Sequence, residues 1–177
     1  MFEEYLQDAY EFLAIGSSTS AKLSEKEARR YYRGAVFCAS GAIEAFVNYL
    51  ADSFAKAGSL SEHEICFLND RVLVFSMEKG LQEKAKYHPL DQKIKLLLRR
   101  FASNFDFQSP TWNKFKEFKT LRDGLVHPRQ AEDETSLKEY DQKVRSGLAA
   151  VIEIMNQLSK DVFRKPLRKK LLDLIPE

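Results

Sequence analysis

The residues best suited to chemistry stand close together in the segment Leu121-Arg122-Asp123-Gly124-Leu125-Val126-His127-Pro128. An arginine is always charged and suits phosphate groups, whereas an imidazole titrates near neutral pH and can exchange protons. With the carboxylate of Asp123 between them, Arg122 and His127 could hold a phosphate and move a proton beside it. The spacing alone is not specific, so the elements that position these residues must be considered.

The spacing of this motif constrains its geometry. Arg122 and His127 point about 140° apart on a regular helix, whereas Asp123 and His127, four residues apart, share a face. Asp123 could therefore accept a hydrogen bond from the imidazole and fix which nitrogen is free. Arg122 and His127 converge only if the last turn is distorted, which Gly124 and Pro128 would allow, or if two chains form the site. The alternative for His127 is an exposed helix C-cap, favoured there by the helix dipole.

Arg122 also occupies an apolar position, because Phe115, Phe118 and Leu125 repeat around it at helical spacing. A buried guanidinium needs a partner or a wet cleft. Glu44 is the partner we predict. The alternative is that Arg122 is an ion-pair residue at the edge of the core, with no part in chemistry.

Helical periodicity runs through almost the whole chain, and no segment alternates convincingly as a strand. Capping boxes or a cap followed by proline mark four helix starts at Ser24/Glu27, Ser61/Glu64, Ser136/Glu139 and Ser109-Pro110. The predicted helices cover about 2–15, 25–57, 62–80, 91–102, 110–127 and 137–163. The sequence thus predicts an all-α, single-domain bundle of five to six helices over 1–177, with its core at about 25–163 and a basic C-terminal tail at 164–177.

The predicted second helix carries a stripe of small residues, namely Gly34, Cys38, Gly41 and Ala45. Glycine inside a helix costs about 0.5–1 kcal/mol relative to alanine, so another backbone is expected to approach closely there. The stripe indicates either a tight helix pair within the chain or the seam of a dimer.

Polar residues line up beside that stripe. Ser40, Glu44 and Asn48 follow one another at intervals of four residues and are surrounded by apolar neighbours. Most such lines are solvated faces. Here we expect at least one of the three to be partly buried and hydrogen-bonded.

Composition and charge narrow the class of protein. The net charge of +2 does not by itself indicate a strong nucleic-acid binder. The charge is unevenly distributed, however, because residues 160–170 are mostly basic, whereas the charged residues among 1–15 are all acidic. Cys38 and Cys66 are expected to be reduced core thiols. There is no signal peptide, no 18-residue apolar stretch and no metal-ligand spacing, so we predict a soluble, cytoplasmic protein with no membrane span, metal or cofactor.

The motif and its context resemble the HEPN superfamily of small helical bundles. Members carry an Arg, often a following polar residue, and a His four to six residues after the Arg, at the end of a late helix. Arg122, Asp123 and His127 match that form, as does the trailing Pro128. The segment 42–48, with Glu44 and Asn48, resembles the family's long early helix. The likeness in helix order covers about residues 25–160.

This resemblance implies a metal-independent RNA endonuclease of a toxin–antitoxin or antiviral-defence type. Such enzymes act as homodimers in which two Arg-His motifs meet in one cleft. His127 would be the general acid or base, Arg122 would hold the phosphate, and Asp123 would orient His127, with Glu44, Ser40 and Asn48 in support.

Partners and regulation follow from the same resemblance. RNA would be the substrate, and an antitoxin protein is a possible partner. Family toxins silenced by a nucleotidyltransferase have a Tyr two residues after the His, where this chain has Arg129, which could contact RNA instead. The cations Arg164, Arg168 and Lys169 could also bind RNA, or form a solvated helix end. The alternative function is a non-catalytic helical module that binds a nucleotide or a protein, since many family members are not catalytic. A third possibility is an unrelated bundle with a coincidental motif.

Overall fold

A computed structural model describes residues 1–18, 23–102, 104–127 and 135–176. Within these ranges the chain is mostly helical and contains one two-stranded antiparallel sheet. In chain order the elements are α1 (Phe2–Gly16), α2 (Glu25–Ala57), α3 (Glu62–Leu68), β1 (Arg71–Ser76), β2 (Gly80–Ala85), α4 (Leu90–Phe101), α5 (Pro110–Val126), α6 (Leu137–Phe163) and α7 (Lys169–Leu172).

The helix starts predicted from capping signals are confirmed. Ser24, Ser61 and Ser136 each accept a hydrogen bond from the backbone of the glutamate three residues later, and each glutamate bonds back to the cap. Ser109 caps α5 by accepting a hydrogen bond from the backbone N–H of Trp112, with Pro110 at the first helical position. These signals work because both partners lie within one turn.

The predicted third helix to Gly80 is wrong, and with it the purely α-helical description. Helix α3 ends at Leu68, and residues 71–85 form a hairpin in which Phe75 is paired with Leu81. The Val-Leu-Val-Phe run of β1 is short and apolar, and periodicity does not separate such a run from a buried helical segment. Asp70, with a φ of 57°, turns the chain out of the helix.

Helix α1 fills the seam of small residues on α2. A Cβ atom added at Gly34 would lie 3.1 Å from Cδ2 of Phe12, and one at Gly41 would lie 3.6 Å from Cδ2 of Tyr5. Of the two interpretations of the stripe, the close helix pair within the chain is therefore the one observed. The seam no longer supports a dimer contact through this part of α2.

The core surrounds α2 and α6, and both ends of the chain contribute to it. Leu6 and Leu13 of α1 are buried, as are Leu167 and Leu171 near α7. Lys170 adds an ion pair to Glu3, with 2.8 Å between Nζ and Oε2. The basic tail thus packs on the first helix.

Two further sequence expectations concern α2 and the cysteines. In the described part of the chain, α2 is long and apolar enough to cross a membrane by length and composition, although 56% of its most apolar 18-residue segment is buried within the structure. The buried core helix of a soluble protein can have the same length and composition, so these two properties do not show whether α2 crosses a membrane. Cys38 and Cys66 are free thiols, the first half-buried and the second buried.

Candidate functional site

Helix α5 carries the Arg-Asp-His motif and is anchored by its aromatic residues. Trp112, Phe115 and Phe118 are buried along one face of the helix. Phe118 packs where α6 has Gly147, at which an added Cβ would lie only 2.8 Å from Cγ of the phenyl ring. This close approach fixes α5 against α6 one turn before Arg122.

Arg122 is half-buried and forms an ion pair with the next residue. Its Nη1 atom lies 3.0 Å from Oδ1 of Asp123, and Nζ of Lys119 lies 3.1 Å from Oδ2 of the same carboxylate. Burial raises the pKa of the Asp123 carboxyl, but the hydrogen bonds from Arg122 and Lys119 outweigh burial and hold that pKa below its usual range. Asp123 is therefore a carboxylate whose two oxygens are both occupied.

A pocket of about 90 Å³ lies beside this ion pair, between α2, α4 and α5. Ser40 and Glu44 of α2 line it together with Arg122 and Asp123, so four of the predicted site residues share one cavity. Its apolar wall consists of Ile43, Leu90, Phe115 and Phe118. The predicted ion pair between Glu44 and Arg122 is not among the contacts of the described residues: both line this pocket, but the ion-pair partner of Arg122 is Asp123 and Glu44 is exposed.

Four polar residues of this pocket were not predicted from the sequence, namely Tyr87, His88, Lys93 and Lys119. Of these, His88 and Lys93 are more than nine-tenths buried. The backbone N–H of His88 donates to Oδ1 of Asp70 over 2.8 Å, and Nζ of Lys93 donates to Oδ2 over 2.7 Å. Burial raises the pKa of the Asp70 carboxyl, but these hydrogen bonds outweigh burial and hold that pKa below its usual range. Lys93 could have been found, because it precedes the buried residues Ile94 and Leu97 at helical spacing.

His127 ends α5 as its C-cap and is exposed. Its backbone N–H donates to the carbonyl oxygen of Asp123 over 2.9 Å, whereas the Asp123 carboxylate is bonded by Arg122 and Lys119. The described residues that line the pocket do not include His127. Within one chain, Arg122 therefore lies at the pocket, whereas His127 lies outside it at the end of α5.

The remaining predicted residues lie outside the pocket. Asn48 is exposed on α2 and is not among the described residues that line it. Arg164 caps α6 in the left-handed conformation and borders a separate polar groove that also contains Glu153 and Asp161. Nη1 of Arg168 lies 3.4 Å from Glu3, and Lys169 is exposed.

Arg129, the remaining predicted RNA contact, and Pro128 lie outside the described residues. In the described ranges, no group of three or more His, Cys, Asp or Glu side chains could hold a metal ion.

No protein-family model matches the chain, and no curated protein or solved structure is significantly similar to it. The likeness to the HEPN superfamily thus depends on the motif and the helix order alone. What the structure adds is the location of each motif residue: a half-buried Arg122 at a polar pocket and an exposed His127 at the end of the same helix.

Proposed function

We propose that this protein is a metal-independent RNA endonuclease of the HEPN type that acts as a homodimer. The observation that supports this proposal is the position of Arg122, whose side chain is 35% exposed beside a polar pocket. His127, on the same helix, is open to solvent. Both groups are accessible to a phosphate chain that crosses the end of α5.

The chemistry would use the RNA itself as nucleophile. A base, His127, takes the proton of the 2′-hydroxyl, whose oxygen attacks the adjacent phosphorus to form a 2′,3′-cyclic phosphate. The bond from phosphorus to the 5′-oxygen breaks, and that oxygen takes a proton from water or from the second imidazole of the dimer. Arg122 holds the non-bridging oxygens, where negative charge develops. Asp123 takes a different part from the one expected from sequence, because its carboxylate can hold the guanidinium of Arg122 in place.

The separation of the two motif residues favours a site made by two chains. Arg122 borders the pocket and His127 does not, because His127 is the C-cap that follows α5 and has left the helical conformation. A second copy whose α5 end faces the first could supply the imidazole that one chain lacks at its pocket.

The test is cleavage of single-stranded RNA in the presence of EDTA. His127→Ala should lower the rate by about 10²–10⁴-fold, the usual loss for a general acid or base. Arg122→Ala should be nearly as damaging. Two matched controls are the exposed residues His63 and Arg33, whose alanine variants should cleave at the rate of the parent. Equal rates for all four variants would mean that any cleavage comes from a contaminant.

A second candidate function is a non-catalytic module that binds a nucleotide or a protein. It is favoured by the ion pair between Arg122 and Asp123, which already neutralises the guanidinium, and by the position of His127 outside the pocket. Binding of a ligand at the pocket, without cleavage of RNA by the parent protein, would select this function.

The cellular setting forms part of the first proposal. A toxin–antitoxin or antiviral role in the cytoplasm, with RNA as substrate and an antitoxin protein as partner, fits an RNase of this type. Expression of the parent protein alone in a bacterial host should then arrest growth, and expression of the His127→Ala variant should not.

A further inference from the structure

The pocket between α2, α4 and α5 is rich in hydrogen-bond donors that the chain leaves unused. Lys93 is 5% exposed, and of the three N–H groups on its Nζ atom one is bonded, to Asp70. Ser40 is 9% exposed, and its hydroxyl has no hydrogen-bond partner among the described residues. These donors are free to bind water or a ligand in the pocket.

The mouth of the pocket adds further donors. Arg122 and Lys119 carry eight N–H groups between them, and the contacts they make within the described residues are with Asp123 and, over 3.7 Å, with Asp91. The acceptors are few by comparison. Each oxygen of Asp123 already accepts one hydrogen bond, and Glu44 is exposed, where water screens its charge. A ligand that satisfies this pocket must therefore offer several acceptor oxygens and few donors.

The size of the pocket limits the part of a ligand that it can enclose to a small group. Its volume of about 90 Å³ is below the roughly 150 Å³ of an engineered cavity that holds benzene, and corresponds to about three water molecules. A nucleobase or another aromatic ring is thus too large to be enclosed. A tetrahedral oxyanion has the right size and brings acceptor oxygens in several directions.

The donors also approach from three helices, which favours phosphate over a planar carboxylate. Ser40 comes from α2, Lys93 from α4, and Lys119 and Arg122 from α5. Three terminal oxygens on one phosphorus can be met from three sides, and arginine binds phosphate oxygens in pairs. A terminal phosphate, with one substituent, can reach Ser40 and Lys93, which are nine-tenths buried, whereas a phosphodiester, with two, is better accommodated beside the more exposed Arg122.

We propose that this pocket binds the terminal phosphate of a phosphomonoester, with Ser40 and Lys93 at its base and Lys119 and Arg122 at its mouth. The site needs no cleavage step. It shares Arg122 with the proposed nuclease, and Ser40 with the residues expected to support it, and it goes beyond that proposal through Lys93 and Lys119, which the nuclease does not use. The monoester could be the end of a nucleic acid or a small metabolite, and the experiment separates these sources.

The first measurement is a calorimetric titration with inorganic phosphate. We expect saturable binding that Ser40→Ala weakens roughly tenfold or more, the loss of one hydrogen bond to a charged oxygen. Ser159→Ala is the matched control, because Ser159 is also buried but its hydroxyl donates to the carbonyl oxygen of Lys165. Lys119→Met should weaken binding as well, whereas Lys116→Met, at an exposed position of the same helix, should not.

The second measurement uses short oligodeoxythymidylates with a 5′-phosphate, a 3′-phosphate or no terminal phosphate. These lack the 2′-hydroxyl, so binding is measured without cleavage. Tighter binding of one phosphorylated end, with competition by inorganic phosphate, identifies a nucleic-acid end as the source. Binding of inorganic phosphate alone, still weakened in Ser40→Ala, identifies a small phosphomonoester.

Three results would overturn the proposal. One is the absence of saturable phosphate binding at millimolar concentrations. Another is equal affinity in the parent and in folded Ser40→Ala and Lys119→Met, with folding checked by circular dichroism. The third is equal binding of all three oligonucleotides without competition by phosphate. Loss of RNA cleavage in His127→Ala with intact phosphate binding would leave both proposals standing, so the two can fail separately.

Discussion

Lys93 and Asp70 form an ion pair of 2.7 Å between Nζ and Oδ2, in which the lysine side chain is 6% exposed and the aspartate side chain is 41% exposed. Asp70 stands at the start of the hairpin and Lys93 in the first turn of α4. The second oxygen of Asp70 accepts the backbone N–H of His88. One carboxylate therefore connects α3, the hairpin and α4, and keeps Lys93 in place at the base of the pocket.

Asp70→Asn tests this connection. Asparagine tolerates the left-handed backbone of position 70, so the variant removes the charge and little else. We expect a loss of about 1–2 kcal/mol in the free energy of unfolding, at the low end for a hydrogen bond to a charged group because Asp70 is partly solvated. Urea titration at pH 7 measures it. No loss would mean that water replaces the carboxylate on Lys93.

The same variant has a predictable pH dependence. The pKa of Asp70 is lowered in the folded protein, so its contribution is complete above the unfolded pKa of about 3.9 and is lost as the pH falls through the folded value. The difference in stability between parent and Asp70→Asn should be constant from pH 5 to 7 and should shrink below about pH 4. A difference that grows on acidification would contradict this assignment.

Gly147→Ala and Gly124→Ala form a matched pair. Both are glycines inside helices, but an added Cβ at position 147 meets the ring of Phe118, and at position 124 nothing lies within 4 Å. Gly147→Ala should cost about 1–3 kcal/mol through overpacking, whereas Gly124→Ala should gain about 0.5–1 kcal/mol of helix propensity. Thermal unfolding distinguishes them, and equal shifts would show that α5 and α6 can move apart freely.

The stability cost of the two motif variants should be small. His127 is exposed, and its removal should change the free energy of unfolding by less than about 0.5 kcal/mol. Arg122→Ala should cost about 0.5–1 kcal/mol, since Lys119 remains bonded to Asp123. A loss above 2 kcal/mol in Arg122→Ala, measured by urea titration, would show that this arginine is primarily structural.

We expect a homodimer whose contact includes the end of α5, since Arg122 and His127 are separated within one chain. Light scattering at tens of micromolar should give twice the mass of the chain. Val126→Glu, at a residue that is 42% exposed beside His127, should lower the mass to that of a monomer. Met77→Glu, at a hairpin residue that is 92% exposed, is the control and should not. A monomeric parent would remove the two-chain site.

Local contacts were predicted well from the sequence, and distant ones were not. The capping boxes join residues three apart, so the starts of α2, α3 and α6 could be read directly. The hairpin also pairs residues that are close in sequence, such as Phe75 and Leu81, but its short apolar β1 run is equally compatible with a helix. The side chain of Asp70 binds His88 and Lys93, which come 18 and 23 residues later, and no local pattern contains that information.

The candidate site shows the same limit. Lys119 and His127 each lie four residues from Asp123, so either could face its carboxylate on a helix. The imidazole of His127 was the predicted partner. In the structure the carboxylate bonds the lysine, which is always charged near neutral pH, and Arg122 beside it. The apolar neighbours of Ser40 and Glu44 on α2 predicted that one of these side chains would be partly buried. They did not predict a pocket shared with Arg122.

The ion pair between Glu3 and Lys170 has a consequence for the connectivity of the chain. Because α1 and α7 are neighbours, the two ends of the described chain lie on the same side of the molecule. A short glycine-rich linker could join them at little entropic cost, and new ends could be opened at the exposed hairpin turn of residues 77–79. Such a circular permutant would keep the positions of α2, α5 and α6 in space. In the permutant, however, α2 would be synthesised after α5 and α6 instead of before them.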